Sequence, residues 1–277
     1  MVRSARIGKP NVVLHIDQAV DYDVTHVDSH GSVWWEDGGG FRRIVLNRPD
    51  KLNAFNAGQF AAVTAALDAV ADDKRIKCVV LSAAGRAFSA GSDLADDVPE
   101  EGAAARFIET LAAFPKPVIA GVNGLAVGIG VTLLGLCDLV IAAETGRFRL
   151  PFVPLGLCPE AGSTVSLPES MGRQAAAYAL YTGSWLDAAE AARRGLVWRV
   201  VADADLTSAV TAVAQEIAAM PIDALVTTKH LLAQQRLPRL RAAIHAEASE
   251  FERLRAGAEH RDAVAAFLDR RTPATSR

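Results

Sequence analysis

The sequence predicts an α/β fold with a helical C-terminal part, and three observations carry that reading. From Tyr22 to Val201, short apolar or alternating runs of strand type alternate with helical stretches. After Asp205 the chain reads as helix nearly to its end, with breaks at Pro221, Pro238 and Gly257. Within the first part, Gly121 to Ser163 opens with four glycines within ten residues and goes on through a buried apolar stretch to Glu160. No internal repeat is visible, and a strand–helix coil with right-handed crossovers is the natural topology. The expected divisions are an arm over residues 1–20, a core over 21–204 and a helical region over 205–277.

The elements follow in order. Val33–Glu36 and Arg42–Leu46 form a hairpin about the turn Asp37-Gly38-Gly39-Gly40. Asn47 to Asn53 is a polar loop, and Asn56 caps an alanine-rich helix reaching about Val70. Ile76 to Ser82 reads as a buried strand, Ala83 to Asp93 as a loop, and Glu100 to Phe114 as a helix ended by Pro115 and Pro117. Leu139–Ala143 and Phe148–Leu150 are strands, followed by helices near Ser163–Met171, Gln174–Thr182 and Asp187–Arg194, and a strand at Val197–Val201. The Ala- and Arg-rich tail is amphipathic and packs on its own core or on a neighbouring subunit.

Composition sets limits. Of 277 residues, 51% are hydrophobic, enough for a sizeable core. A net charge of -3 with pI near 6.1 gives no electrostatic case for nucleic acid or an anionic membrane. Cys78, Cys137 and Cys158 sit singly, so neither a disulfide framework nor a zinc site is expected. None of the six histidines lies in a metal-like cluster, and the first twenty residues lack a signal-peptide core. A cytoplasmic protein is the expectation.

In the central stretch, Pro117-Val118-Ile119-Ala120 reads as a buried strand, and Gly121, Gly124, Gly128 and Gly130 as a turn leading into a buried helix from Val131. Unpaired N–H groups at such a helix start attract anions and developing negative charge. Close strand–helix packing explains the glycines equally well. Leu133 stands at the third glycine position of a dinucleotide-binding pattern, so that reading fails.

Four stretches together resemble the crotonase superfamily of enoyl-CoA hydratases and isomerases. They are Leu46-Asn47-Arg48-Pro49-Asp50-Lys51-Leu52-Asn53-Ala54, Phe88-Ser89-Ala90-Gly91-Ser92-Asp93-Leu94, Lys116 to Gly124, and Gly128 to Glu160. The likeness spans about residues 22 to 270. It implies a spiral of ββα units with a helical trimerisation region at the C-terminus, and an acyl-CoA thioester as substrate. Coenzyme A enters as part of that substrate, with no other cofactor. The family's oxyanion hole consists of two backbone N–H groups, which by motif position belong to Ser92 and Ile129. Gly91 and Gly128 let the backbone come close there.

The chain departs from the hydratases at both of their glutamates. Thr132 and Phe152 occupy those positions, and addition of water needs a base for the water and an acid for carbon. Glu160, in Leu157-Cys158-Pro159-Glu160-Ala161-Gly162, resembles the single catalytic glutamate of the peroxisomal type of 3-enoyl-CoA to 2-enoyl-CoA isomerase. One base suffices for that reaction. Apolar neighbours raise the basicity of such a carboxylate and a helix N-terminus lowers it, so two opposed effects meet at Glu160. A first-turn helix acid is the plainer reading of the same residue.

The resemblance also assigns CoA contacts to Lys51, Leu52 and Ala90, and to Phe267 and Arg270 near the C-terminus. Lys51 also fits a surface lysine, and Arg270 a basic last helical turn. Asp138 anchors a turn. Asp93 does the same by accepting backbone hydrogen bonds. His230 is a surface residue, Trp34 and Trp35 are hairpin packing, and Asp96, Asp97 and Glu100 form a solvated acidic loop. The expected assembly is a homotrimer or a hexamer, and the expected activity isomerisation. Hydration, thioester hydrolysis and CoA-ester binding without turnover are the alternatives.

Overall fold

A computed structural model of the chain describes residues 22–93 and 102–269. The acidic-loop residues Asp96, Asp97 and Glu100, the arm over residues 1–20, and Arg270 lie outside them.

The hairpin forms as expected. β1 (Tyr22–Val27), β2 (Val33–Gly38) and β3 (Phe41–Leu46) are antiparallel, with Val33 opposite Leu46 and Gly38 opposite Phe41. From β3 onward the sheet is parallel. It continues through β4 (Cys78–Ala83), β6 (Val118–Val122), β8 (Leu139–Ala143) and β11 (Arg199–Val201). Helices must connect parallel neighbours, and they cover both faces. α1 (Ala57–Asp68), capped by Asn56 Oδ1 on the Gln59 N–H, and α2 (Ala103–Ala112) lie on one face. α7 (Leu206–Ala218) lies on the other.

Strand alternation sorts the side chains between these faces. Ile44, Leu46, Val79, Leu81, Val118 and Ala120 meet Phe55, Phe60 and Phe107. Phe41, Cys78, Val80, Ile119 and Ile141 meet Leu206, Val210 and Val213 of α7. The two buried arginines of β3 obey the same rule. Arg42 reaches Ala66 O of α1 at 2.8 Å and pairs with Asp37, while Arg43 reaches Thr211 Oγ1 of α7 at 2.6 Å.

A second sheet holds β10 (Leu186–Asp187), β9 (Arg147–Arg149), β7 (Leu125–Val127) and β5 (Ala87–Ser89), in that order. β7 corrects the sequence reading, because the glycine-rich stretch is not one turn. Gly121 belongs to β6, β7 follows Gly124, and only then does α3 (Ile129–Thr132) begin. α3 continues as a 3-10 turn over Leu133–Leu136, all of it buried. α4 (Ser163–Met171), α5 (Arg173–Thr182) and α6 (Ala188–Arg193) follow, α6 being capped by Asp187.

The helical tail comprises α7, α8 (Ile222–Gln234), α9 (Arg236–Arg255) and α10 (Ala258–Asp269). Pro221 and Gly257 interrupt it as expected, but Pro238 does not. Pro238 is the third residue of α9, in the first turn, where its missing N–H has no intrahelical acceptor to lose. The break falls instead at Gln235. α9 packs on α4, burying Leu240 and Ile244. Among the described residues no single helix is long and apolar enough to cross a membrane.

Candidate active site

The expected site residues come from three loops that the two sheets bring together. The first follows β3. Leu52 and Asn53 both adopt positive φ (52° and 54°), an uncommon conformation for residues with side chains. Asn53 holds the turn from within. Its fully buried side chain accepts from the Arg48 N–H at 2.7 Å and donates to Ala84 O and Ala87 O, each at 2.8 Å. Lys51 is exposed at the tip, and Leu52 O accepts from the Ala90 N–H at 2.9 Å, which ties Lys51, Leu52 and Ala90 into one wall.

The second loop follows β5. The Phe55 N–H donates to Gly91 O and the Asp93 N–H to Phe55 O, the pattern of a parallel bridge around Ser92. Backbone groups alternate sides along a strand, so the Ser92 N–H points away from Phe55. It donates to no described residue, and Ser92 is exposed. Asp93 anchors this loop to the one before it. Its carboxylate pairs with the Arg48 guanidinium at 2.9 Å, because that cation, itself donating to Ala54 O, lies directly beneath the loop.

The third loop joins β7 to α3. Gly128 N donates to Arg149 O, and the Val131 and Thr132 N–H groups return to Gly128 O. Ile129 is the first helical residue, so its N–H has no acceptor one turn back. The second and third loops touch. A Cβ on Gly128 would stand 3.8 Å from Gly91 Cα, and one on Gly91 would stand 3.2 Å from Val127 O. Gly91 and Gly128 both have positive φ (102° and 56°), which disfavours a side chain at either position. A Cβ on Gly130 would lie 2.7 Å from Ser89 O, so α3 can approach β5 only with glycine there. Two N–H groups without an acceptor among the described residues, on Ser92 and Ile129, thus stand on adjoining loops.

A second wall starts at Thr132, the last residue of α3, and at Phe152, both buried. Phe152 shares the main core with Ile129 and Ala161. After a 3-10 turn at Val153–Leu155 the chain reaches Glu160, two residues ahead of the cap of α4 at Gly162. Glu160 is half-buried and its carboxyl receives no hydrogen bond from a described residue. Desolvation first, and the charge of Glu247 second, raise its pKa from 4.5 to about 7. The helix-terminus effect that opposes this is spent elsewhere. The Gly162 and Thr164 N–H groups at the start of α4 donate to Glu247, from α9, and not to Glu160.

Glu247 was not found by sequence reasoning, because nothing local marks a glutamate in a charged helix as buried. Its spacing from Leu240 and Ile244 on one helical face was the available signal. Asp138 anchors its turn as expected, accepting from the Val118 N–H at 2.8 Å, and adds an ion pair with Lys229. Trp34 is buried in the hairpin, and His230 is exposed. Phe267 falls within α10, with its side chain outside the described residues, as is Arg270. No group of three metal-ligating side chains occurs among the described residues.

Residues 36–276 match the model of the enoyl-CoA hydratase/isomerase family. The chain belongs to that family. It is 36% identical over 247 residues to the 1,2-epoxyphenylacetyl-CoA isomerase of Escherichia coli K12, covering 84% of this chain and 94% of that protein. A 2,3-dehydroadipyl-CoA hydratase of the same organism is 36% identical over 238 residues, 83% of this chain and 92% of that one. Human enoyl-CoA delta isomerase 2 is 34% identical over 245 residues, 84% of this chain and 62% of its own length. A crystal structure of an enoyl-CoA hydratase/isomerase from Pseudoalteromonas atlantica superposes with a TM-score of 0.84 at 34% identity, over 88% of this chain and all of that one. The fold is therefore the crotonase fold, and the family acts on acyl-CoA thioesters. These relatives bear the names of both hydratases and isomerases.

The position of Glu160 has a consequence for stability. Its carboxyl ionises near 4.5 when unfolded and near 7 when folded. Below both values it is neutral in both states and costs nothing. As pH rises from 4.5 to 7, only the unfolded state gains the favourable charge, so the folded state loses up to roughly 3 kcal/mol. Glu160→Gln is expected to unfold at higher urea than the parent at pH 8 and at equal urea near pH 4. An equal difference at both pH values would contradict the raised pKa.

Proposed function

We propose that the protein is an acyl-CoA isomerase that moves a 3-enoyl-CoA double bond to the 2-position, as in the peroxisomal-type subgroup. The observation that carries this reading is the single candidate base. Thr132 and Phe152, both buried, stand where hydratases carry carboxylates, and Glu160, held near pKa 7, remains on that wall. A carboxylate titrating near neutrality balances protonation state against basicity.

Glu160 removes a proton from C2 of the 3-enoyl thioester. The Ser92 and Ile129 N–H groups donate to the thioester oxygen as the dienolate forms, and the Glu160 carboxylic acid returns the proton at C4. No water is consumed, and Phe152 excludes it. Lys51, Leu52 and Ala90 hold the CoA portion, joined by Phe267 and Arg270 from the tail. Gly91, Gly128 and Thr132 shape the floor. The reaction requires no cofactor beyond the CoA of the substrate, and the protein works in the cytoplasm. Hydration, the activity named for one relative, requires the second carboxylate that Thr132 and Phe152 replace. Product analysis with 3-enoyl-CoA, 2-enoyl-CoA and 1,2-epoxyphenylacetyl-CoA separates the readings. Hydroxyacyl product from the 2-enoyl ester at a rate matching isomerisation would overturn the assignment.

The active assembly is a homotrimer or a stacked hexamer. α8 has no fully buried residue, and Leu231 and Leu232 are 60% and 73% exposed, as expected of a helix that meets a second copy. Sedimentation at micromolar protein should give a trimer or larger, and a monomer would refute it. Ser92→Pro removes one oxyanion donor and should lower turnover by roughly a hundredfold or more in a protein whose circular dichroism is unchanged. Glu160→Gln should lower isomerisation by roughly two to four orders of magnitude with little change in CoA-ester affinity. Wild-type deuterium exchange at C2 in that variant would assign the base to another residue.

A further inference from the structure

Glu247 is 6% exposed and lies on α9, 87 positions beyond Glu160 by residue number. Its Oε2 accepts from the Gly162 N–H at 2.7 Å. Its Oε1 accepts from the Thr164 N–H at 2.9 Å and from Thr164 Oγ1 at 2.5 Å. Three donors from the turn that carries Glu160 thus converge on one carboxylate from another part of the chain. The Cys158 thiol, on the same turn, donates to the Glu247 backbone carbonyl at 3.6 Å.

Packing fits the same arrangement. Gly162 has φ +70°, and a Cβ there would stand 2.4 Å from Leu240 Cδ1 and 3.1 Å from Ile244 Cγ1. Glycine at this position brings α9 close enough for Glu247 to reach the turn. Ala161, also at positive φ (62°), lies between Glu160 and Gly162, so the turn is strained where Glu247 grips it. A helix start with free N–H groups would otherwise stabilise the Glu160 carboxylate and weaken it as a base. Glu247 occupies those groups and sets its own negative charge beside Glu160.

We infer that Glu247 is a positioning residue for the reaction: it clamps the Glu160 turn onto α9 and, by taking the helix α4 N-terminus for itself, sets the pH range in which Glu160 acts as base. The inference rests on the reading of Glu160 as that base. The charged and titratable groups around the turn are few. Glu247 and Glu250 come from α9, with Glu250 paired to Arg253. Cys158 lies on the turn itself, its thiol pushed up mainly by burial. His260 comes from α10, where Nδ1 meets Leu155 O at 2.7 Å. α4 presents only Ser163 and Thr164 at this end, its Glu169 being paired to Arg236 and Arg239 near the other. Of these, Glu247 is the group whose charge raises Glu160.

The test uses the full chain and trans-3-hexenoyl-CoA, with kcat and KM measured from pH 5 to 9. In the parent, kcat rises with pH through about 7 as Glu160 ionises. Glu247→Gln removes the charge and keeps the shape. Its acid limb should move to lower pH by roughly half a unit, and its plateau kcat should fall several-fold with KM nearly unchanged. Glu247→Asp keeps the charge on a shorter arm, so its plateau should fall while the acid limb stays. An acid limb and plateau in Glu247→Gln identical to the parent would overturn the inference. If Glu247→Gln does not fold, Thr164→Val decides, since it deletes only the hydroxyl donor. A several-fold loss of kcat with the acid limb in place supports the clamp, and parental kinetics overturn it. Glu160→Gln run alongside separates the two levels. Parental turnover in that variant removes the base assignment, whereas an inert Glu160→Gln beside a kinetically parental Glu247→Gln removes only the role of Glu247.

Discussion

β5 and β7 run in the same direction and pair at Ala87 with Leu125 and Ser89 with Ala126. Because they are parallel, their carboxyl ends leave the sheet together, and the loops that follow are forced side by side. That pairing puts Gly91 against Gly128 and the Ser92 N–H on the loop beside the Ile129 N–H. Ligands gather at the carboxyl ends of parallel strands for this reason: the backbone stops pairing with itself there and offers free donors. β7 pairs in turn with β9, which leads directly into Phe152 and the Glu160 turn. Three segments of the candidate site, distant in sequence, are thus spaced by one short sheet.

Electrostatics complete what the sheet begins. In the proposed isomerisation an anion-stabilising pair of N–H groups and a carboxylate base serve the same substrate, yet they need opposite surroundings. The developing oxyanion needs uncompensated donors, whereas the base loses strength if donors reach it. The fold separates the two demands. The Ser92 and Ile129 N–H groups meet no acceptor among the described residues, and those of Gly162 and Thr164 after Glu160 are taken by Glu247. Glu160 receives no hydrogen bond from any described residue, and desolvation first and the charge of Glu247 second push its carboxyl up to about 7.

Much of this was legible in the residues. The hairpin, the Asn56 cap, the helix expected over Asp187–Arg194 and the helical tail follow from local rules of periodicity and capping, and each appears close to its expected bounds. The misread features share a cause. Three-residue β7 is too short to show a period, and its strand character comes only from pairing with β5 and β9. Pro238 was read as a break because proline opposes helix interiors, but the rule depends on where the helix starts, and Gln235 moved that start.

By itself the sequence determined the fold class, the family, the motif positions and the loss of the hydratase carboxylates at Thr132 and Phe152. Those properties reside in residue identities and their spacing along the chain. Only the tertiary structure decided the balance at Glu160. Sequence set an apolar neighbourhood against a helix N-terminus and left the sign open. Desolvation of the folded carboxyl decided it first, and the charge of Glu247 added to it from a different helix, whose approach depends on Gly162 packing against Leu240 and Ile244. A pKa is a sum over charges and dipoles in space, and distance along the chain does not enter it.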